Sequence, residues 1–136
     1  MKEYVLDANA LARLFRDAPG ASTVENLVRQ SKAGRARLQI PVVNLTEVAY
    51  VLARYLNQDK VDLCTQSVRP VVEPVGVDEQ AALCAANLRT RYKLGLADCF
   101  AAELAMRAGA TLVTADPEFE KLGKRLKILA LPRHSA

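Results

Sequence analysis

Two hydrophobic periods take turns along this chain. Short runs of consecutive or alternating apolar residues, the pattern of buried strands, are separated by longer stretches in which apolar side chains recur every three or four positions, the pattern of helices packed by one face. The first run, residues 2–6, passes into Asp7 with no turn residue between, and a helix over 8–15 follows until Ala18, Pro19 and Gly20 stop it. Ser22, with Glu25 three residues on, has the spacing of a capping box and predicts a second helix to about Gly34. A strand over 37–40 ends at Pro41. The helix expected over 43–56 then sets Leu45, Val48, Ala49, Leu52, Tyr55 and Leu56 in one apolar stripe, which reads as core.

The second half repeats the alternation. A helix over 59–68 leads to a strand candidate over 71–75, where Pro74 has no N–H to donate and so belongs at a sheet edge. From Asp78 to about Lys93 a helical pattern sets Ala81, Ala82, Ala85 and Leu88 on one side. Gly95 breaks it. A helix over 96–108 ends at Gly109, a strand covers 110–114, and a last strand over 128–131 follows the basic run Lys121, Lys124, Arg125 and Lys127. No repeat, low-complexity stretch or linker divides the chain. One domain over 1–136 is expected, of α/β class, with a mostly parallel central sheet.

Composition narrows the chemistry. With 136 residues, 51% hydrophobic and 25% charged, the chain has the balance of a soluble globular domain with a core. No apolar run is long enough for a bilayer and no basic-then-apolar segment opens the chain, so a cytoplasmic location without a membrane partner is expected. Cys64, Cys84 and Cys99 are widely spaced, each among apolar neighbours of a helical pattern, and are expected as buried free thiols. The only histidine is His134, so zinc is a poor fit and no internal imidazole can act as base. Acid–base work must fall to carboxylates, Lys, Tyr or metal-bound water. The net charge of +4 is compatible with a polyanionic partner. Aromatic content of 5% argues against a platform that stacks single-stranded bases.

Four acids stand where chemistry is usually done in such folds. Asp7 ends the first strand, and ligands of open α/β sheets bind beyond the carboxyl ends of strands; it also suits the N-cap of the next helix. Glu47 lies opposite the apolar stripe of its helix, on a face shared with Asn44, Val51 and Arg54, as an ordinary surface glutamate also would. Asp98 shares a stripe with Ala102 and Ala105, small residues that let a helix approach its neighbour closely; a first-turn acid favoured by the helix dipole is the alternative. Asp116 follows the strand 110–114 and precedes Pro117, which also fits an N-cap.

In a right-handed α/β arrangement all four can reach one edge of the sheet. Converging carboxylates repel one another, and a divalent cation is their natural partner. Oxygen ligands alone suit Mg2+ or Mn2+ better than zinc. Such a site fits metal-assisted attack of water on a phosphodiester.

In order and spacing, Asp7 in V-L-D-A-N, Glu47 in P-V-V-N-L-T-E, Asp98 in L-G-L-A-D-C-F-A-A and Asp116 in L-V-T-A-D-P-E-F resemble the PIN-domain ribonucleases, in particular the compact VapC-type toxins of toxin–antitoxin pairs. The resemblance spans essentially the whole chain. It implies a three-layer α/β/α domain with four to five strands and an Mg2+- or Mn2+-dependent endoribonuclease activity. By the same resemblance Asp7, Asp98 and Asp116 bind metal, Glu47 helps to hold it and to orient the attacking water, and Asn9, Thr114 and Glu118 support the site. The family often has Ser or Thr where Asn9 stands and Asp where Glu118 stands; Asn9 can still donate and accept and Glu118 is one methylene longer, so neither departure is expected to abolish activity. An RNA substrate, a small antitoxin and a homodimer are also implied by the resemblance alone. Arg13, Arg16, Arg54, Lys93 and Lys121 are candidates to line a nucleic-acid groove, although most such charges only solubilise.

Two other classes remain open on the sequence. Asp7 would be the nucleophile of an aspartyl-phosphate phosphatase, but Asn9 stands where that chemistry wants a second acid. A PIN-like module that binds nucleic acid or protein without cutting is the other.

Overall fold

The computed structural model describes residues 1–133; His134 lies outside them. The chain runs β1 (Lys2–Leu6), α1 (Ala8–Arg16), α2 (Ala21–Lys32), β2 (Ala36–Pro41), α3 (Val42–Leu52), α4 (Gln58–Val68), β3 (Val72–Val75), α5 (Glu79–Tyr92), α6 (Leu96–Ala108), β4 (Thr111–Thr114), a 3-10 stretch Pro117–Arg125 broken at Gly123, and β5 (Lys127–Ala130). All five strands pair in parallel, in the order β3-β2-β1-β4-β5. Pro74 stands in the edge strand β3, where its missing N–H breaks no inner ladder.

Alternation along the strands sorts the helices into two layers. Leu6, Leu38, Ile40 and Val113 face one side and join Leu11, Val24, Leu27, Val48, Leu52 and Val61 from α1–α4. Val5 and Leu112 face the other and join Ala85, Leu88, Ala101, Ala102, Ala105 and Phe119 from α5, α6 and the 3-10 stretch. Burying each large side chain stabilises the fold by roughly 1.5–3 kcal/mol. The result is an α/β/α sandwich whose strands are covered on both faces, as parallel sheets require.

Several boundaries differ from expectation. Ser22 does not cap α2; the helix starts at Ala21 behind Gly20, whose φ of +89° carries the chain out of the Pro19 turn and under Leu131. α4 starts one residue early because the Asn57 side chain accepts from the Lys60 N–H. α3 ends at Leu52 rather than 56, and the turn after it swings Tyr55 outward to 63% exposure, so this residue is not core, whereas Leu56 still packs on it. Asn44, expected on the open face with Glu47, is buried. Of the cysteines only Cys99 is buried; Cys64 is half-buried and Cys84 exposed.

Candidate functional site

Strand order reverses around β1. The chain steps outward from β1 through β2 to β3, then returns to place β4 on the other side of β1. At such a switch point the connections leave in opposite directions and a crevice opens beyond the strand ends. The register Leu6 with Val113 brings the next residues, Asp7 and Thr114, face to face there, and the Asp7 N–H donates to the Val113 carbonyl at 3.3 Å.

Asp7 is 3% exposed and both of its oxygens are engaged. Oδ1 accepts from the Ala10 N–H at 2.8 Å, which caps α1, and Oδ2 accepts from the Thr114 hydroxyl. The Thr114 Oγ1 in turn accepts from the Asp116 N–H at 3.0 Å, and Asp116 Oδ1 accepts from the Glu118 N–H at 2.9 Å to cap the 3-10 stretch behind Pro117. Two N-caps are thus coupled through one buried hydroxyl. A carboxylate oxygen has more than one lone-pair site, so capping leaves Asp7 able to accept from the cleft side as well.

A cleft of about 490 Å³ lies over this pair, lined by the acids Asp7, Glu47, Asp98 and Asp116 and by Asn9 and Arg13. A larger groove between α5 and α6 is mostly apolar and holds none of the four acids. Asp98 enters because Ala102 and Ala105 behind it are fully buried and let α6 lie close to the sheet. Gly95 also makes room: a Cβ there would sit 3.2 Å from Asp98 Oδ2.

Charge in this cleft is poorly compensated. Burial pushes the Asp98 carboxyl up to about 7, aided by the charges of Asp7 and Asp116, a hydrogen bond with Asp116 and the charge of Glu47. Burial likewise raises Asp7 to about 6, against the opposing hydrogen bonds of Thr114 and Ala10. The donors are oxygen only, which suits a hard divalent cation such as Mg2+ or Mn2+. Among the described residues no three His, Cys, Asp or Glu side chains stand close enough together to hold a metal ion as they are placed, although four acids line the same cleft.

The remaining candidates divide. Asn9 is exposed at the cleft and its Oδ1 accepts from Arg13 Nε at 2.7 Å. Arg13 is 8% exposed, and its guanidinium donates to the carbonyls of Pro19, Pro132 and Arg133, so it is committed to the backbone rather than free for phosphate. Arg133, which the sequence did not single out, lines the cleft through this anchorage. Glu118 turns to Lys121, and Lys121 also reaches the Tyr92 carbonyl; neither lines the cleft. Lys93, in the left-handed conformation that ends α5, is outside it as well. Arg16 and Arg54 stack on Tyr55 and Tyr50 beyond the rim.

The PIN-domain family model matches residues 4–125, and the chain belongs to that family. Solved structures with the same fold include VapBC2 from Rickettsia felis bound to a promoter DNA fragment, 20% identical, with TM-score 0.76 over 95% of this chain and 98% of that one. A toxin–antitoxin complex from Klebsiella pneumoniae is 18% identical, with TM-score 0.69 over 93% of this chain and 96% of that one. The sarcin–ricin-loop-cleaving toxin VapC20 of Mycobacterium tuberculosis is 15% identical, with TM-score 0.66 over 88% and 95%. A search of curated proteins by sequence found no match.

Proposed function

We propose that this PIN-domain chain is an endoribonuclease dependent on Mg2+ or Mn2+ and the toxin of a toxin–antitoxin pair. The observation that carries the reading is the meeting of Asp7, Glu47, Asp98 and Asp116 in one cleft at the switch point of the sheet. Asp7, Asp98 and Asp116 would hold the cation, which when bound balances the acids' charge and acidifies a water for attack on phosphorus. Glu47, exposed at the cleft, would orient that water. Hydrolysis would form the bond from the water oxygen to phosphorus and break the bond to the leaving ribose oxygen, the water's proton passing to bulk solvent and the leaving oxygen taking one from it. Thr114 and the α1 N-cap fix the Asp7 carboxyl, and Asn9 holds Arg13 at the wall.

The toxin assignment is supported by the fold shared with the Klebsiella toxin–antitoxin complex and with the sarcin–ricin-loop-cleaving toxin VapC20. The same reading includes an antitoxin partner, a homodimer and work in the cytoplasm. Purified chain incubated with RNA and Mn2+ should cut it, and chelator or Asp98→Asn should abolish cutting. Cleavage unchanged by both would refute the metal-nuclease reading; RNA binding without any cleavage would favour a non-catalytic module.

A further inference from the structure

The two helices that frame the cleft carry a second pattern. On α1, Asn9, Arg13 and Arg16 follow one another at i, i+4 and i+7; on α3 and its closing turn, Glu47, Tyr50 and Arg54 follow at i, i+3 and i+7. Asn9, Arg13 and Glu47 line the cleft, so each stripe leaves its rim and continues along its helix for about 10 Å, at 1.5 Å per residue. α1 and α3 pack on each other, which sets the stripes side by side. At the far end the Arg16 guanidinium lies 4.7 Å from the Tyr55 ring centre, and its Nη2 donates to the Tyr55 hydroxyl at 3.4 Å. The Arg54 guanidinium lies 4.9 Å from the Tyr50 ring centre and donates to the Tyr50 hydroxyl at 3.4 Å.

Both tyrosines are 63% exposed, as an apolar core residue would not be. Among the described residues Arg16 and Arg54 pair with no carboxylate, and nor do most of the chain's Lys and Arg; Arg91 also stacks on a tyrosine, Tyr92, but that ring is half-buried, whereas Tyr50 and Tyr55 are open to solvent. Two exposed guanidinium groups held on two exposed rings complement a polyanion that also has flat faces. An apolar helix of a protein partner would gain little from so charged a ledge. The low aromatic content of the chain therefore misleads, because the few rings it has are not all spent on the core.

Resting on the nuclease reading above, we propose that Tyr50, Tyr55, Arg16 and Arg54 form a ledge that binds the single-stranded flank of the RNA entering the cleft. Bases stack on the tyrosines and phosphates meet the arginines. Such stacking tolerates any base but needs it unpaired, so the ledge selects strandedness rather than sequence.

The test is fluorescence anisotropy with a labelled single-stranded RNA long enough to cross cleft and ledge, in the Asp98→Asn background to keep the RNA intact. Replacing both Tyr50 and Tyr55 by Ala should weaken binding about a hundredfold, roughly tenfold per ring, while Phe at both positions retains most of it. Arg16→Ala with Arg54→Ala should reduce the slope of log affinity against log salt by about 1.4, some 0.7 per lost phosphate contact. A duplex of the same sequence should be much less sensitive to the tyrosines. Unchanged single-strand affinity in the Tyr→Ala pair would overturn the ledge, and so would loss confined to a protein partner. If wild type cuts RNA while that pair binds as before, the ledge falls and the nuclease reading stands. A chain that neither binds nor cuts RNA removes both.

Discussion

The hydroxyl of Thr114, at the end of β4, donates to Asp7 Oδ2, at the end of β1, and accepts from the Asp116 N–H. One buried side chain thereby ties the two strand ends that flank the switch point of the sheet. Thr114→Val keeps the shape but removes donor and acceptor together. It should cost about 1–3 kcal/mol of stability by urea denaturation and weaken Mn2+ binding, while Thr114→Ser stays near wild type on both counts.

The acids of the cleft predict an unusual pH dependence. Asp7 and Asp98 stand raised to about 6 and about 7, above their ordinary 3.8, so each holds more proton in the folded than in the unfolded chain. Their contribution to stability is full below about pH 4 and is lost as pH rises through 6 to 7. Asp98→Asn removes that loss. In chelator near pH 8 it should raise Tm by a few degrees, about 1 kcal/mol once solvent screening of this half-buried group is allowed for, and the gain should vanish near pH 4. A melting difference between variant and wild type that does not change with pH would contradict this.

Mn2+ should offset that loss of stability in wild type. A ligand that binds only the folded chain stabilises it by about 2.7 kcal/mol at a hundred times its Kd. Thermal melts near pH 8 should therefore rise with Mn2+ in wild type and much less in Asp98→Asn.

Arg13 gives a prediction about the chain end. Its guanidinium holds the carbonyls of Pro19, Pro132 and Arg133, three acceptors that a single ammonium cannot span. Arg13→Lys and Arg13→Ala should both loosen the segment that follows Leu131 and so speed exchange of the Leu131 amide, which donates to the Thr114 carbonyl at 2.8 Å. An unchanged Leu131 exchange rate in both variants would show that the Arg13 anchorage does not hold this segment.

Gly95 faces the Asp98 carboxylate closely enough that an added methyl would press on Oδ2 from 3.2 Å. Its φ of −57° is open to any residue, but Gly95 is the N-cap of α6, where Ala is less favourable than Gly, so Gly95→Ala should cost about 0.5–1 kcal/mol of stability and lower Mn2+ affinity besides. Calorimetric titration beside a denaturation curve separates the two effects.

What the sequence made legible was whatever is set locally. Strand ends and helix starts are marked by residues in place, so Asp7, Asp98 and Asp116 could be assigned to their elements, and Pro74 to an edge, from their neighbours alone. The coupling of Asp7 to Asp116 through Thr114 depends on the register between β1 and β4, which no local pattern encodes. Arg13 looked like a groove cation because its partners Pro132 and Arg133 lie at the other end of the chain. Tyr55 fell on the apolar stripe of α3, yet the helix ends before it and the following turn rotates it outward. Its pairing with Arg16 crosses between helices, but Tyr50 and Arg54, four residues apart, were a visible signal.

On the proposed reading, Asp7, Glu47, Asp98 and Asp116 together hold one cation. Crystals soaked in Mn2+ and measured at an anomalous wavelength test it most directly. A peak is expected about 2 Å from oxygens of both Asp7 and Asp98, with Asp116 and Glu47 beside it. A manganese ion bound elsewhere on the chain, with the cleft free of anomalous density, would contradict it.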